Sequence, residues 1–133
     1  DVKKAVEKRF EKQKNIEVEM QNKETIKVFG DKESQDAVVF FGSTKGAVLE
    51  ASKYLNKPVK LVQIVWLEPL EKEKIKKELE DMKIICVEGN HNGQLASLIR
   101  EKTGIEIKDK ILKYDSIPFD PVELAEKINQ ILN

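Results

Sequence analysis

Two short polar strings hold most of the side chains in this sequence whose types and spacing could do chemistry. Glu88-Gly89-Asn90-His91-Asn92-Gly93-Gln94 places a carboxylate three residues before the only histidine, a pairing that general acid–base work uses. No nucleophile or third partner accompanies it. Asn92 as a helix N-cap and Gly93 in a tight turn account for much of the string. His91 therefore reads as a solvated loop histidine. Glu88, Asn90, Gly93 and Gln94 stand as candidates for polar contact with another domain. The second string, Phe41-Gly42-Ser43-Thr44-Lys45-Gly46, falls at a strand-to-helix turn, where free N–H groups and the helix dipole favour an anion and Lys45 would add charge. It does not match a Walker loop, because Lys45 precedes Gly46 instead of following it. A second reading makes Ser43 or Thr44 a helix cap and uses Gly42 and Gly46 for close packing.

Other reactive types offer less. Cys86 lies inside an apolar run and is expected to be a buried, inert thiol. Trp66 could anchor a core or an interface. None of the spacings H-x-x-x-H, C-x-x-C or D-x-D-x-D-G occurs, so no metal centre is expected.

Composition narrows the classes further. The chain has 133 residues, with 24 Lys+Arg balanced by 24 Asp+Glu, which argues against a nucleic-acid binder that needs a field of one sign. Charged residues make up 36% against 40% hydrophobic, a globular balance with room for a core. A single cysteine allows no internal disulfide and suits a reducing, cytoplasmic compartment. No apolar run approaches a membrane span, and no membrane partner is expected. Abundant Lys and Glu with little Cys and Met point to a heat-adapted source. The chain opens on Asp1, so it is expected to be a piece of something longer.

The elements that would position the two strings follow from periodicity. Val2, Ala5, Val6 and Phe10 predict an amphipathic helix over 1–14, and Ile16–Met20 and Ile26–Val28 alternate as short half-exposed strands. Residues 1–35 are taken together as a connecting segment from a preceding domain, and 36–133 as the domain proper. Ala37–Phe41, Val59–Trp66, Ile84–Val87 and Ile111–Leu112 read as buried strands. Between them fall helical stripes: Ala47, Val48, Ala51, Tyr54 and Leu55; then Leu70, Ile75, Leu79 and Met82, with a Glu73–Lys77 pair opposite. Leu95, Leu98 and Ile99 form the next, closed by Thr103-Gly104. Asp120-Pro121-Val122-Glu123 starts the last helix, with Ala125, Ile128, Ile131 and Leu132 inward.

Strands alternating with helices predict a three-layer α/β/α sandwich around a mainly parallel sheet. Such sheets gather ligands and partners at the loops after the carboxyl ends of strands. Those are Gly42–Gly46, Leu67–Pro69, Glu88–Gly93 and Tyr114–Phe119, which adds Tyr114, Pro118 and Phe119 to the candidates.

Three strings in this order resemble a known family: Phe40 to Ala47, Val87 to Arg100, and Lys113-Tyr114-Asp115-Ser116-Ile117-Pro118-Phe119. Together they are similar to the C-terminal part of the alpha subunit of 2-oxoacid:ferredoxin oxidoreductases, from about residue 36 to the end. Ser116 stands where the family often has Gly, and Trp66-Leu67-Glu68-Pro69 is less proline-rich than its counterpart. The resemblance implies a domain like the C-terminal domain of transketolase. It implies a complex that oxidatively decarboxylates 2-oxoacids to acyl-coenzyme A and passes electrons to ferredoxin. Thiamine diphosphate, Mg and iron–sulfur clusters would lie elsewhere in that complex and none on this chain. The implied partners are the other alpha-subunit domain, the beta subunit and cluster-bearing subunits. A stand-alone anion- or nucleotide-binding module using Gly42–Gly46 is the alternative.

Overall fold

The structure, a computed structural model, describes residues 25–65, 70–89, 94–113 and 119–132. The expected helix over 1–14, the strand at 16–20, and Trp66, Asn90, His91, Gly93, Tyr114 and Pro118 lie outside those residues.

Five strands form one sheet: β1 (Ile26–Gly30), β2 (Asp36–Phe41), β3 (Lys60–Ile64), β4 (Lys83–Glu88) and β5 (Asp109–Leu112). Their order is β1-β3-β2-β4-β5, with β1 antiparallel to β3 and every other pair parallel. Among the described residues three α-helices connect strands, α1 (Lys45–Ala51), α2 (Lys72–Leu79) and α3 (Gln94–Thr103), and a fourth, α4 (Pro121–Leu132), follows β5.

The alternation of strand side chains makes two cores. Val38, Phe40, Leu61, Ile85, Val87 and Ile111 face α1 and α4, packing on Val48, Ala51, Leu124, Ala125 and Ile128. Val39, Val62, Ile64, Ile84 and Cys86 face α2 and α3, meeting Ile75, Leu79, Leu95 and Ile99. Because β2, β3 and β4 are covered on both faces, they read as near-continuous apolar runs. The three-layer, mainly parallel sandwich predicted from the sequence is the observed fold. Ile26–Gly30, assigned to the connecting segment 1–35, enters this sheet as its edge strand. Its half-exposed pattern follows from having a neighbour on one side only. Gly30 closes it at φ +72°, with the Asp31 N–H donating to the Val59 carbonyl at 3.0 Å.

Three local expectations differ from the structure. Tyr54 is 52% exposed, because α1 ends at Ala51 and passes into a 3₁₀ turn over Ser52–Tyr54. Three residues per turn rotate Tyr54 off the stripe that a 3.6 period extrapolates. On α2 the ion pair formed is Lys74–Glu71 at 3.1 Å, joining the helix to its own N-cap, in place of Glu73–Lys77. Leu98 packs against the core as expected, but Ala96 and Thr103, outside the expected stripe of the same helix, are buried there too. The last helix starts as expected, with Asp120 Oδ1 accepting the Val122 N–H at 3.1 Å.

Cations in two places close helix C-termini. Lys60 is 7% exposed, yet its Nζ reaches the Glu78 carboxylate at 2.6 Å and donates to the Glu78 carbonyl at 2.9 Å. Lys83 Nζ donates to the Ile131 carbonyl at 2.7 Å. Both complete carbonyls that the last turn leaves unpaired.

Candidate functional site

The strand order reverses at β2. The chain runs from β2 to β3 on one side, then crosses back to place β4 on the other. In open α/β sheets such a switch point is where ligands and partners gather, at the carboxyl ends of the strands. The register pairs Phe40 with Val87. Gly42 and Gly89, two residues beyond each, therefore leave the sheet side by side. The ends of β2 and β4, 47 residues apart at Gly42 and Gly89, are brought together by the parallel pairing of the two strands.

The Gly42–Gly46 side is a 3₁₀ turn over Gly42–Thr44 leading into α1. Thr44 occupies the N-cap position but makes no side-chain cap; its Oγ1 donates back to the Phe41 carbonyl at 2.7 Å. The capping expectation is thus corrected for Thr44: the tight turn presents a nearer carbonyl than any helical N–H. Close packing at the glycines is corrected too. A Cβ on Gly46 would meet nothing within 4 Å, and one on Gly42 only Gln63 Nε2 at an ordinary 3.6 Å. Lys45 stacks its Nζ 5.1 Å from the Phe29 ring centroid, a cation–π contact with the edge strand. The hydroxyl of Thr44 is thus already engaged, and Lys45 leans toward β1. An anion cradle would need both.

The Glu88 side is built differently. Glu88 is 4% exposed, the last residue of β4, and its two oxygens accept the N–H groups of Leu95 (2.5 Å) and Ala96 (3.4 Å). Those are orphan donors of the first turn of α3, so a strand-end carboxylate caps a helix seven residues on and meets the positive end of its dipole. The Cys86 Sγ lies 3.5 Å from Glu88 Oε2 and donates to it. Burial first, then the Glu88 charge and that hydrogen bond, push the Cys86 thiol far above its ordinary range, with Lys110 working the other way. The inert-thiol expectation is met. Glu88 also accepts the Lys113 N–H on its carbonyl at 3.1 Å, tying the end of β5 to the end of β4.

Of the remaining candidates, Gln94 is exposed at the first position of α3. Phe119 packs against the α1/α4 core with Lys113 Nζ 5.7 Å from its ring centroid. Gln63 was missed by the sequence reading: it is 7% exposed in β3, beside Gly42, and its Oε1 has no partner among the described residues. The signal was a lone amide within the apolar run from Val59 onward. Among the described residues no cluster of three His, Cys, Asp or Glu side chains could hold a metal, and no helix is long and apolar enough to cross a membrane.

A doubly wound, mainly parallel sheet whose buried strand-end carboxylate holds a helix defines the class, a three-layer α/β domain. The comparisons say which one. No family model matches the chain. It is 34% identical to the 2-oxoacid:ferredoxin oxidoreductase subunit alpha of Saccharolobus solfataricus, over 97% of this chain and 21% of that protein. It superposes with TM-score 0.58 on the alpha chain of a probable 2-oxoacid ferredoxin oxidoreductase from Thermoplasma acidophilum. That likeness has 32% identity over 84% of this chain and 99% of the other. A 2-oxoglutarate:ferredoxin oxidoreductase from Magnetococcus marinus matches at TM-score 0.79 and 26% identity, over 95% of this chain and 22% of that one. The chain belongs to the alpha-subunit family of 2-oxoacid:ferredoxin oxidoreductases. It spans about a fifth of the length of the curated relatives it matches.

Proposed function

We propose that the chain is the C-terminal domain of such an alpha subunit and acts in packing and assembly, not in the chemistry. The whole complex would oxidatively decarboxylate a 2-oxoacid to an acyl-coenzyme A and send the electrons to ferredoxin in the cytoplasm. The Magnetococcus protein, solved with 2-oxoglutarate, coenzyme A and succinyl-CoA bound, supports that reaction class.

One observation supports the packing role: the Glu88 carboxylate at the carboxyl end of β4 caps the start of α3 and so serves the domain's own structure. The contacts with a neighbour are proposed for Gly42–Gly46 and Glu88–Gln94, and for Tyr114, Pro118 and Phe119, the candidates that follow strands in the sequence. Thiamine diphosphate supplies ylid chemistry to enzymes that bind it, and iron–sulfur clusters need several thiolates. The described donors fit neither group nor a magnesium diphosphate: the one thiol is buried and kept protonated, and no carboxylate cluster is present. Those groups are assigned to other domains and subunits.

The test is Lys45→Glu and Gly93→Trp, made singly in the full complex. Loss of subunit association on sedimentation, with turnover falling in parallel, is the expected result. Unchanged assembly and turnover in both variants would refute the loop assignment.

A further inference from the structure

At the carboxyl end of β3, the sheet face that carries α1 and α4 holds polar groups left unsatisfied. Phe29 and Leu61 belong to the core on that face, so strand alternation places Thr25, Lys27 and Gln63 there too. Gln63 is 7% exposed and Thr25 1%, yet Gln63 Oε1 and Thr25 Oγ1 have no hydrogen-bond partner among the described residues. The two are near neighbours in the ladder. Gln63 lies opposite Lys27, and on the next rung of that face the Val65 N–H donates to the Thr25 carbonyl at 2.9 Å. A buried polar group left unbonded costs stability, and an apolar side chain of the same shape would remove that cost. The other polar residue of β3, Lys60, is bonded to Glu78. Gln63 is thus the polar side chain of β3 that finds no use among the described residues. Its amide also borders open space: a Cβ on Gly42, which is partly exposed, would stand 3.6 Å from Gln63 Nε2 and meet nothing else within 4 Å.

We propose that Gln63 is a docking residue whose carboxamide pairs with the main-chain N–H and C=O of an extended residue from a neighbouring domain, entering over Gly42. A carboxamide carries a donor and an acceptor side by side, and rotation about its terminal bond turns either one toward Gly42. An extended residue presents its own N–H and C=O on one side, as in an antiparallel pair, so it matches both atoms at once. The Thr25 hydroxyl adds a donor or acceptor on the same face. Charged occupants fit less well. Lys27 stands across the ladder from Gln63, and Lys45 Nζ lies 5.1 Å from the Phe29 ring centroid on the same face, so an arriving ammonium or guanidinium would meet like charge. A carboxylate would suit the lysines but has no hydrogen to give the Gln63 oxygen. Gly42, with no side chain, leaves the approach free. The inference rests on the packing role proposed above and names the chemistry of one contact.

The test is a reversal of sign between the free chain and the complete complex. Gln63→Met keeps the length of the side chain and removes both polar atoms. In the free 133-residue chain it should melt no lower than wild type, because the amide is unbonded there, and Gly42→Ala should be neutral. In the complete complex each variant should melt about 2 °C or more below wild type. A high-resolution structure of the complex should place a main-chain nitrogen of another domain about 3 Å from Gln63 Oε1. Three results would overturn the proposal: a free Gln63→Met chain melting well below wild type, a Gln63→Met complex melting with wild type, or only a water at Gln63 in the complex. A bond to Gln63 from this chain's own residues 1–24 or 66–69 would overturn it as well. If Lys45→Glu and Gly93→Trp break the complex while Gln63→Met leaves it unaltered, the packing role stands and this contact falls. If those two leave the complex intact and Gln63→Met destabilises it, the loop assignment falls and the contact stands.

Discussion

The carboxylate of Glu88 accepts the main-chain N–H of Leu95 and, through its other oxygen, that of Ala96, so the last residue of β4 caps α3 across the intervening loop. This single side chain ties the strand to the helix.

Replacing Glu88 should therefore cost more than an ordinary surface cap. Glu88→Ala leaves two helix N–H groups and the Cys86 thiol without their acceptor in a buried site, and about 2–4 kcal/mol of stability should be lost. Glu88→Gln keeps one acceptor oxygen and should lose about half as much. Urea unfolding of the free chain measures both, and equal stability of all three proteins would contradict the capping role.

Cys86 makes a prediction about pH. Its folded-state thiol titrates well above the unfolded value, so the native state keeps a proton that the unfolded chain gives up. That stabilisation is fully present below the unfolded thiol pKa of about 8.5 and declines as pH rises beyond it. Cys86→Ala should flatten the stability–pH curve above that point, whatever its effect on packing. At pH 8 the native thiol should resist iodoacetamide and react only when the chain is unfolded; rapid labelling of folded protein would argue against its burial.

Lys60 and Glu78 should respond asymmetrically. Glu78→Ala strands a buried ammonium with only the Glu78 carbonyl for company, and a loss of about 2–3 kcal/mol is expected. Lys60→Met removes the charge and keeps the volume, while the Glu78 side chain, 24% exposed, can still reach water. That variant should lie within about 1.5 kcal/mol of wild type. A thermal-melt series giving the reverse order would show that the pair is worth more than the burial it requires.

Two glycines at positive φ separate strain from crowding. Gly104→Ala should cost about 1 kcal/mol, because φ is +80° but a Cβ there meets nothing within 4 Å. Gly30→Ala should cost several-fold more, since its Cβ would stand 2.5 Å from the Val59 carbonyl oxygen, which is backbone. Comparable losses in the two variants would mean that β1 shifts away from β3 to make room.

Much of this protein was readable from residue order alone. The apolar runs at Ala37–Phe41 and Ile84–Val87 and the stripes on α2 and α4 follow from burial, and burial imposes a period of two on strands and 3.6 on helices. The Asp120 cap was legible because cap and helix are neighbours in the chain. So was the inertness of Cys86, which any thiol flanked by isoleucine and valine in a central strand would share.

What needed the tertiary structure was everything joining residues far apart in sequence. That the strings after β2 and β4 begin side by side depends on strand order, and no local pattern encodes which strands pair. Glu88 looked like one polar loop residue among several; its role as a buried cap exists only because α3 returns its N-terminus over the end of β4. Lys60 and Gln63 passed unremarked within the Val59–Trp66 strand, and only packing shows that one closes a helix while the other, among the described residues, keeps an unpaired oxygen. Tyr54 left its predicted face because a 3₁₀ turn changed the phase of the helix. Periodicity is a local consequence of burial, whereas pairing, capping at a distance and edge exposure are set by how the elements are brought together.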